Sequence, residues 1–81
     1  MVVELTLASR AWCHLCHDME ASLLPLAEEL GFRLSIVDVD ANPELESRYD
    51  ELVPVLLHGD RELCHYFLDE AKVREYLSEI R

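Results

Sequence analysis

Residues 2–16, VVELTLASRAWCHLC, decide how this chain folds, because they place a pair of cysteines directly after a predicted strand. Residues 2–8 mix β-branched and aliphatic side chains in a short run, which predicts a buried strand. A short loop then leads to Cys13 and Cys16. From Cys13 to Leu30 apolar side chains recur at steps of three and four, which indicates a helix that begins at the cysteine pair.

Two residues bear on the course and the end of this helix. Gly31 stands where helices commonly end in a residue of left-handed conformation. Pro25 lies inside the predicted helix and cannot donate a backbone hydrogen bond to the carbonyl of Ala21. We therefore expect the helix to kink or break at Pro25 and to end at Gly31.

The middle of the chain predicts a second strand and a short second helix. Residues 32–39, FRLSIVDV, alternate at first and then become apolar, as a strand does. Asn42 can accept hydrogen bonds at the start of a helix, and Pro43 suits the first helical position. Asp38 and Asp40, at the end of this strand, are interpreted only as residues that turn the chain.

The last third of the chain predicts a hairpin followed by a closing helix. Residues 55–58 and 61–66 have the composition of strands, and residues 59–60, Gly-Asp, form the two-residue turn between them. Asp69 can cap a final helix. The residues of this helix expected to face inward are Val73, Tyr76, Leu77 and Ile80.

The predicted order of elements is β-α-β-α-β-β-α. Two crossover units followed by a hairpin and a helix predict an α/β fold, with a four-stranded mixed sheet and three helices. A chain of 81 residues suits one domain, so we expect residues 1–81 to form a single unit.

The charge balance limits the classes of partner. The chain has 17 acidic and 7 basic side chains, for a formal net charge of −10. Such a chain repels phosphate backbones and anionic lipids, so we expect neither a nucleic acid nor a membrane as partner. No apolar stretch approaches the roughly 20 residues of a membrane-spanning helix. With three cysteines and no recognisable leader, the sequence predicts a cytoplasmic monomer whose thiols are mostly reduced.

The Cys13–Cys16 pair carries the chemistry that the sequence predicts. A cysteine at the start of a helix faces unpaired backbone N–H groups and the positive end of the helix dipole. Both favour the thiolate, so we expect the pKa of Cys13 to lie below that of a free thiol. Cys16 follows one turn later on the same side, within reach of a disulfide. His14, between them, is either a cation that favours the thiolate or an exposed imidazole.

The chain resembles the glutaredoxin-like branch of the thioredoxin superfamily over nearly its whole length. The resemblance rests on residues 12–16 (WCHLC) after the first strand, on residues 52–54 (LVP) before the third strand, and on the β-β-α ending. It implies a thioredoxin-like fold and a thiol–disulfide oxidoreductase. In such an enzyme Cys13 attacks a substrate disulfide, and Cys16 resolves the mixed disulfide.

The resemblance also implies which residues surround the cysteines. A cis peptide bond is expected at Val53-Pro54, opposite the dithiol, where the backbone of Val53 would pair with a substrate. Arg10 matches the basic residue that the family places just before the dithiol, and both Arg10 and Pro54 are expected to contribute to substrate binding. Trp12 is either a substrate contact or a packing residue. The implied partners are a disulfide-containing protein or small thiol and an external reductant, of the thioredoxin-reductase type or glutathione. No tightly bound cofactor is implied.

One departure from the family concerns glutathione. Where glutaredoxins have a Gly-Gly that helps hold this tripeptide, this chain has Cys64-His65, whose side chains occupy the same space. This substitution argues against glutathione as co-substrate. It also keeps a second function open, a metal or iron–sulfur carrier that uses Cys13 and Cys16 with Cys64 and a histidine. In the simpler interpretation Cys64 is an inert, half-buried thiol. A non-catalytic adaptor that retains the fold is a third alternative.

Overall fold

The computed structural model describes residues 2–80, and within them the elements follow the predicted order. The strands are β1 (Glu4–Ser9), β2 (Arg33–Asp38), β3 (Val55–His58) and β4 (Arg61–His65). The helices are α1 (His14–Leu30), α2 (Pro43–Tyr49) and α3 (Glu70–Ile80), with a 3-10 turn (Val39–Ala41) before α2. The order β-α-β-α-β-β-α and the mixed sheet are therefore confirmed.

The pairing of the strands brings distant parts of the chain to one edge of the sheet. The strand order is β2-β1-β3-β4, with β1 parallel to β2 and antiparallel to β3, and β3 antiparallel to β4. Ala8, near the end of β1, pairs with Val37 near the end of β2 and with Val55 at the start of β3. The segments that follow Ala8 and Val37 and the segment that precedes Val55 thus share an edge, which we call the motif edge.

The core lies on both faces of the sheet. On one face, Leu5 and Leu7 of β1 pack with Leu23 of α1 and Leu77 of α3, all at most 2% exposed. On the other face, β1 and β3 pack against Tyr49 of α2. Burial of these aliphatic side chains supplies the main driving force of folding, at about 1.5–3 kcal/mol for each fully buried side chain.

Helix α1 is continuous through Pro25, so the expected break at this residue was wrong. Proline removes one hydrogen bond of the helix, but Leu23 and Leu26 on either side are buried in the core and anchor the helix before and after it. The kink expected as the alternative to a break stays a prediction. The predicted end is confirmed, because Gly31 has φ of 71° and its N–H donates to the carbonyl of Ala27 at 2.8 Å.

Predictions based on local signals were confirmed for α2 and for the hairpin. The side-chain oxygen of Asn42 accepts hydrogen bonds from the N–H groups of Glu44 and Leu45, at 3.1 and 3.3 Å. Gly59, in the turn between β3 and β4, has φ of 62°. The second strand is shorter than predicted, because Val39 belongs to the 3-10 turn.

The end of the chain differs from the prediction at two points. Strand β4 stops at His65, because Tyr66 adopts a left-handed conformation with φ of 63° and turns the backbone away. Asp69 caps α3 as expected, accepting from the N–H of Lys72 at 3.0 Å. Ile80 was expected to face inward but is 41% exposed, since the apolar face of α3 ends at Leu77.

Candidate functional site

Cys13 is the N-cap residue of α1, and its own sulfur performs the capping. Its backbone is extended, with φ of −94° and ψ of 112°, and its Sγ accepts a hydrogen bond from the N–H of Cys16 at 3.1 Å. The N–H of Cys13 donates to the carbonyl of Arg10 at 3.2 Å, which closes a turn after β1. The first cysteine thus stands where the N–H groups of the helix are directed at its sulfur.

The second cysteine is placed to react with the first. Cys13 and Cys16 form a disulfide, with their Cα atoms 5.1 Å apart, within the range of protein disulfides. Cys13 is partly exposed, whereas Cys16 is 1% exposed and faces the core. The pair therefore combines an accessible sulfur with a sheltered one.

The Val53-Pro54 peptide bond is cis, as the resemblance implied. Pro54 directly precedes β3, so this bond lies at the motif edge, together with the turn that leads to Cys13. The segment is held by Tyr66, whose phenol donates to the backbone carbonyl of Glu51 at 2.8 Å. Sequence reasoning missed this contact, because Tyr66 was assigned to a strand.

The Arg10 guanidinium is paired with acidic groups of this chain. Its Nε lies 3.0 Å from Oδ1 of Asp40, one terminal nitrogen donates to the backbone carbonyl of Asp50 at 3.2 Å, and the other contacts the carboxylate of Asp50. The hydrogen bond to Asp50, supported by Asp40, raises the pKa of Arg10 above its ordinary value. Asp40 therefore does more than turn the chain, which its position after β2 alone did not reveal.

Exposed aromatic side chains lie beside the dithiol. Trp12, next to Cys13, is 93% exposed, and Phe67 is 70% exposed. Phe67 lines a groove of about 280 Å³ between the first turns of α1 and the segment after β4. The groove is lined by Leu15, Asp18, Met19, Ser22, Tyr66, Phe67 and Leu68.

Cys64 belongs to a different environment. It pairs with Leu56 across the hairpin and packs against the core. Burial is the main cause that raises the pKa of its thiol. The neighbouring His65 pairs with Glu62, its Nδ1 lying 3.0 Å from a carboxylate oxygen.

Across residues 2–80, no group of three or more His, Cys, Asp and Glu side chains is arranged to hold a metal ion. The same residues include no helix of the length and apolar character that spanning a bilayer requires.

The fold and the cysteine pair define a thioredoxin-fold protein with a dithiol motif at the start of its first helix. Residues 4–78 match the model of the Glutaredoxin-like domain (DUF836), and the chain belongs to this family. An uncharacterized protein of Mycobacterium tuberculosis is 33% identical in an alignment of 76 residues that covers 88% of this chain and 78% of that protein.

Solved structures agree with this assignment. The solution structure of a protein of Nitrosomonas europaea is 40% identical with a TM-score of 0.82, over 94% of this chain and 92% of that chain. A protein of X. campestris is 36% identical with a TM-score of 0.68, over 93% and 96% of the two chains. Thioredoxin of Fasciola hepatica, 23% identical with a TM-score of 0.66 over 99% and 82%, shares the fold.

Proposed function

We propose that this protein is a thiol–disulfide oxidoreductase that reduces disulfides of proteins or small molecules. The observation that carries the proposal is the position of the Cys13 sulfur at the N-cap of α1, where it accepts the N–H of Cys16. A thiolate gains from the same hydrogen bond and from the positive end of the helix dipole. The sulfur of the partly exposed Cys13 is then the attacking one, and the sulfur of the buried Cys16 is the resolving one.

The reaction transfers two electrons in two exchange steps. The Cys13 thiolate attacks one sulfur of a substrate disulfide, forming a mixed disulfide and releasing the other sulfur as a thiolate, which takes up a proton. The thiol of Cys16 loses its proton and attacks the Cys13 sulfur, which forms the Cys13–Cys16 disulfide and releases the second substrate thiol. A dithiol or thiol reductant, external to the chain, then returns the pair to the reduced state.

Neighbouring residues have supporting roles in this proposal. The backbone of Val53, held in place with Pro54 at the motif edge, pairs with the extended backbone of a substrate. Trp12, almost fully exposed beside Cys13, contacts the substrate. Arg10, whose guanidinium is engaged by Asp40 and Asp50, positions the turn before Cys13 and takes no direct part in substrate binding.

Serine variants of each cysteine test the proposal. In a dithiothreitol-driven insulin reduction assay, Cys13→Ser is expected to abolish turnover, because the attacking sulfur is absent. Cys16→Ser is expected to accumulate a mixed disulfide on Cys13, detectable by mass spectrometry. The matched control is Cys64→Ser, which is expected to retain activity. Turnover that survives Cys13→Ser contradicts the proposal.

A further inference from the structure

The charges on the two sides of the dithiol indicate which disulfides it accepts. On the first side stands Arg10, three residues before Cys13. Its single positive charge is matched against two carboxylates, those of Asp40 and Asp50, which leaves this corner of the motif edge with an excess negative charge. To bind Arg10, an anionic substrate would have to displace the carboxylate of Asp40 or Asp50 from its guanidinium group.

The other basic residues that the structure describes are placed elsewhere. Arg33 and Arg61 begin β2 and β4 at the edge of the sheet opposite the motif edge. The remaining ones lie on helices, with Arg48 on α2 and Lys72 and Arg74 on α3. Of these, Arg48 pairs with Asp60 at 3.7 Å, and Arg74 pairs with Glu29 and Glu70.

The groove on the second side of the dithiol is also acidic. Among the residues that line it, Asp18 is the one with a charged side chain. The walls are mainly apolar, formed by Leu15 and Met19 of α1 and by Phe67 and Leu68 after β4. A carboxylate among apolar groups favours a ligand that brings both a positive charge and an apolar side chain.

We infer that the substrates of this dithiol are polypeptide disulfides with basic and apolar residues beside the cysteine, and that glutathione disulfide is a poor substrate. Each half of glutathione disulfide carries two carboxylates and one ammonium group, so its net charge is negative. This charge is repelled by the excess negative charge of the Arg10, Asp40 and Asp50 cluster and by the carboxylate of Asp18. This inference rests on the proposed function, since it concerns which disulfides the Cys13 thiolate attacks.

A matched pair of peptide disulfides provides the test. Symmetrical disulfides of acetylated, amidated Lys-Cys-Phe and Glu-Cys-Phe differ in one side chain, which carries a positive charge in the first and a negative charge in the second, and glutathione disulfide is the third substrate. Oxidation of the reduced protein is followed by stopped-flow fluorescence of Trp12, the single tryptophan of the chain. Each rate constant is divided by that of the same disulfide with 2-mercaptoethanol, which corrects for intrinsic reactivity. The measurements are made at pH 8, above the ordinary titration range of imidazoles.

The lysine peptide is expected to react about fivefold or more faster than the glutamate peptide and than glutathione disulfide, after correction. This preference should shrink between about 20 mM and about 500 mM salt, because screening shortens the reach of the carboxylates. Equal corrected rates, or a faster glutamate peptide, overturn the inference while leaving the proposed function intact. Failure of all three disulfides to oxidise the cysteine pair contradicts the proposed function itself.

Variants locate the origin of the preference. The double variant Asp40→Asn with Asp50→Asn releases Arg10 and is expected to raise the corrected rate with glutathione disulfide several-fold. Its control, Glu75→Gln with Glu79→Gln on α3, removes the same charge at a distance and is expected to change that rate by less than twofold. If the two double variants change the rate with glutathione disulfide equally, the discrimination against this substrate does not arise from the pairing of Arg10 with Asp40 and Asp50. The comparison of the peptides on the unmodified protein stands whether or not the variants fold.

Discussion

The backbone N–H of Tyr66 donates a hydrogen bond to the carbonyl of Pro54 at 2.9 Å, from a left-handed conformation with φ of 63°. A residue with a Cβ atom is disfavoured in this conformation by about 1–2 kcal/mol. The hydrogen bond and the phenol contact with Glu51 offset this cost, and both fix the segment that precedes β3.

Replacing Tyr66 separates the cost of the backbone from the contribution of the ring. We expect Tyr66→Gly to be more stable than Tyr66→Ala by about 1 kcal/mol, because glycine adopts positive φ freely. Urea denaturation of both variants measures the difference. Tyr66→Phe, which keeps the ring and removes one hydrogen bond, is the control and is expected to lose about 0.5–1.5 kcal/mol. If Tyr66→Ala is as stable as Tyr66→Gly, the left-handed conformation at this position carries no free-energy cost for a residue with a Cβ atom.

Cys13 and Cys64 are expected to react with iodoacetamide at different rates. In the reduced protein at pH 7, Cys13 is alkylated first, because it is partly exposed and lies at the N-terminus of α1, which favours its thiolate. Cys64 is alkylated more slowly, because burial raises the pKa of its thiol and keeps it protonated. Mass spectrometry of timed samples gives the order. Faster alkylation of Cys64 than of Cys13 would count against the assigned roles.

Removal of Pro25 is expected to stabilise the protein. Pro25→Ala restores a backbone N–H that can donate to the carbonyl of Ala21 within the continuous helix α1, a gain of about 1–3 kcal/mol. Thermal or urea unfolding measures the change. The control Glu28→Ala, also exposed on α1, is expected to stay within about 0.5 kcal/mol of the unmodified protein. A destabilised Pro25→Ala variant would contradict this expectation and would mean that the packing of α1 requires proline at this position.

The ion pair between Glu29 and Arg74 predicts a pH dependence of stability. Its hydrogen bond lowers the pKa of Glu29 in the folded state below the ordinary 4.5. Its contribution is therefore present above about pH 4.5 and is lost as the pH falls through the lower, folded-state pKa. We expect Glu29→Gln to be slightly less stable than the unmodified protein at pH 7, and the difference to shrink as the pH falls below 4.5. The control is Glu28→Gln, and a difference that does not shrink as the pH falls below 4.5 would contradict the linkage.

The parts of the fold that were predicted correctly depend on signals a few residues long. Helix ends and turns are examples: they are formed by the backbone of one residue or by contacts within four residues, as at Gly31, Asn42 and the Gly59–Asp60 turn. The cysteine motif belongs to this group, because a helix N-terminus lies next to it in the chain. Its place at the end of β1 followed from the run of apolar residues before it.

The parts that were missed depend on residues far apart in sequence. The partners of Arg10 lie 30 and 40 positions away and reach it because β2 ends beside β1. The positive φ of Tyr66 has no signal in its side chain and follows from its bond to Pro54. Pro25 was overestimated as a breaker, since burial on both sides of it outweighs one lost hydrogen bond.

One atom, the sulfur of Cys13, serves both the chemistry and the start of helix α1. The sulfur accepts the N–H of Cys16 at 3.1 Å even though it is part of the Cys13–Cys16 disulfide. The first turn of α1 therefore remains capped when the pair is oxidised, so the redox change proposed for these cysteines does not require the helix to unwind.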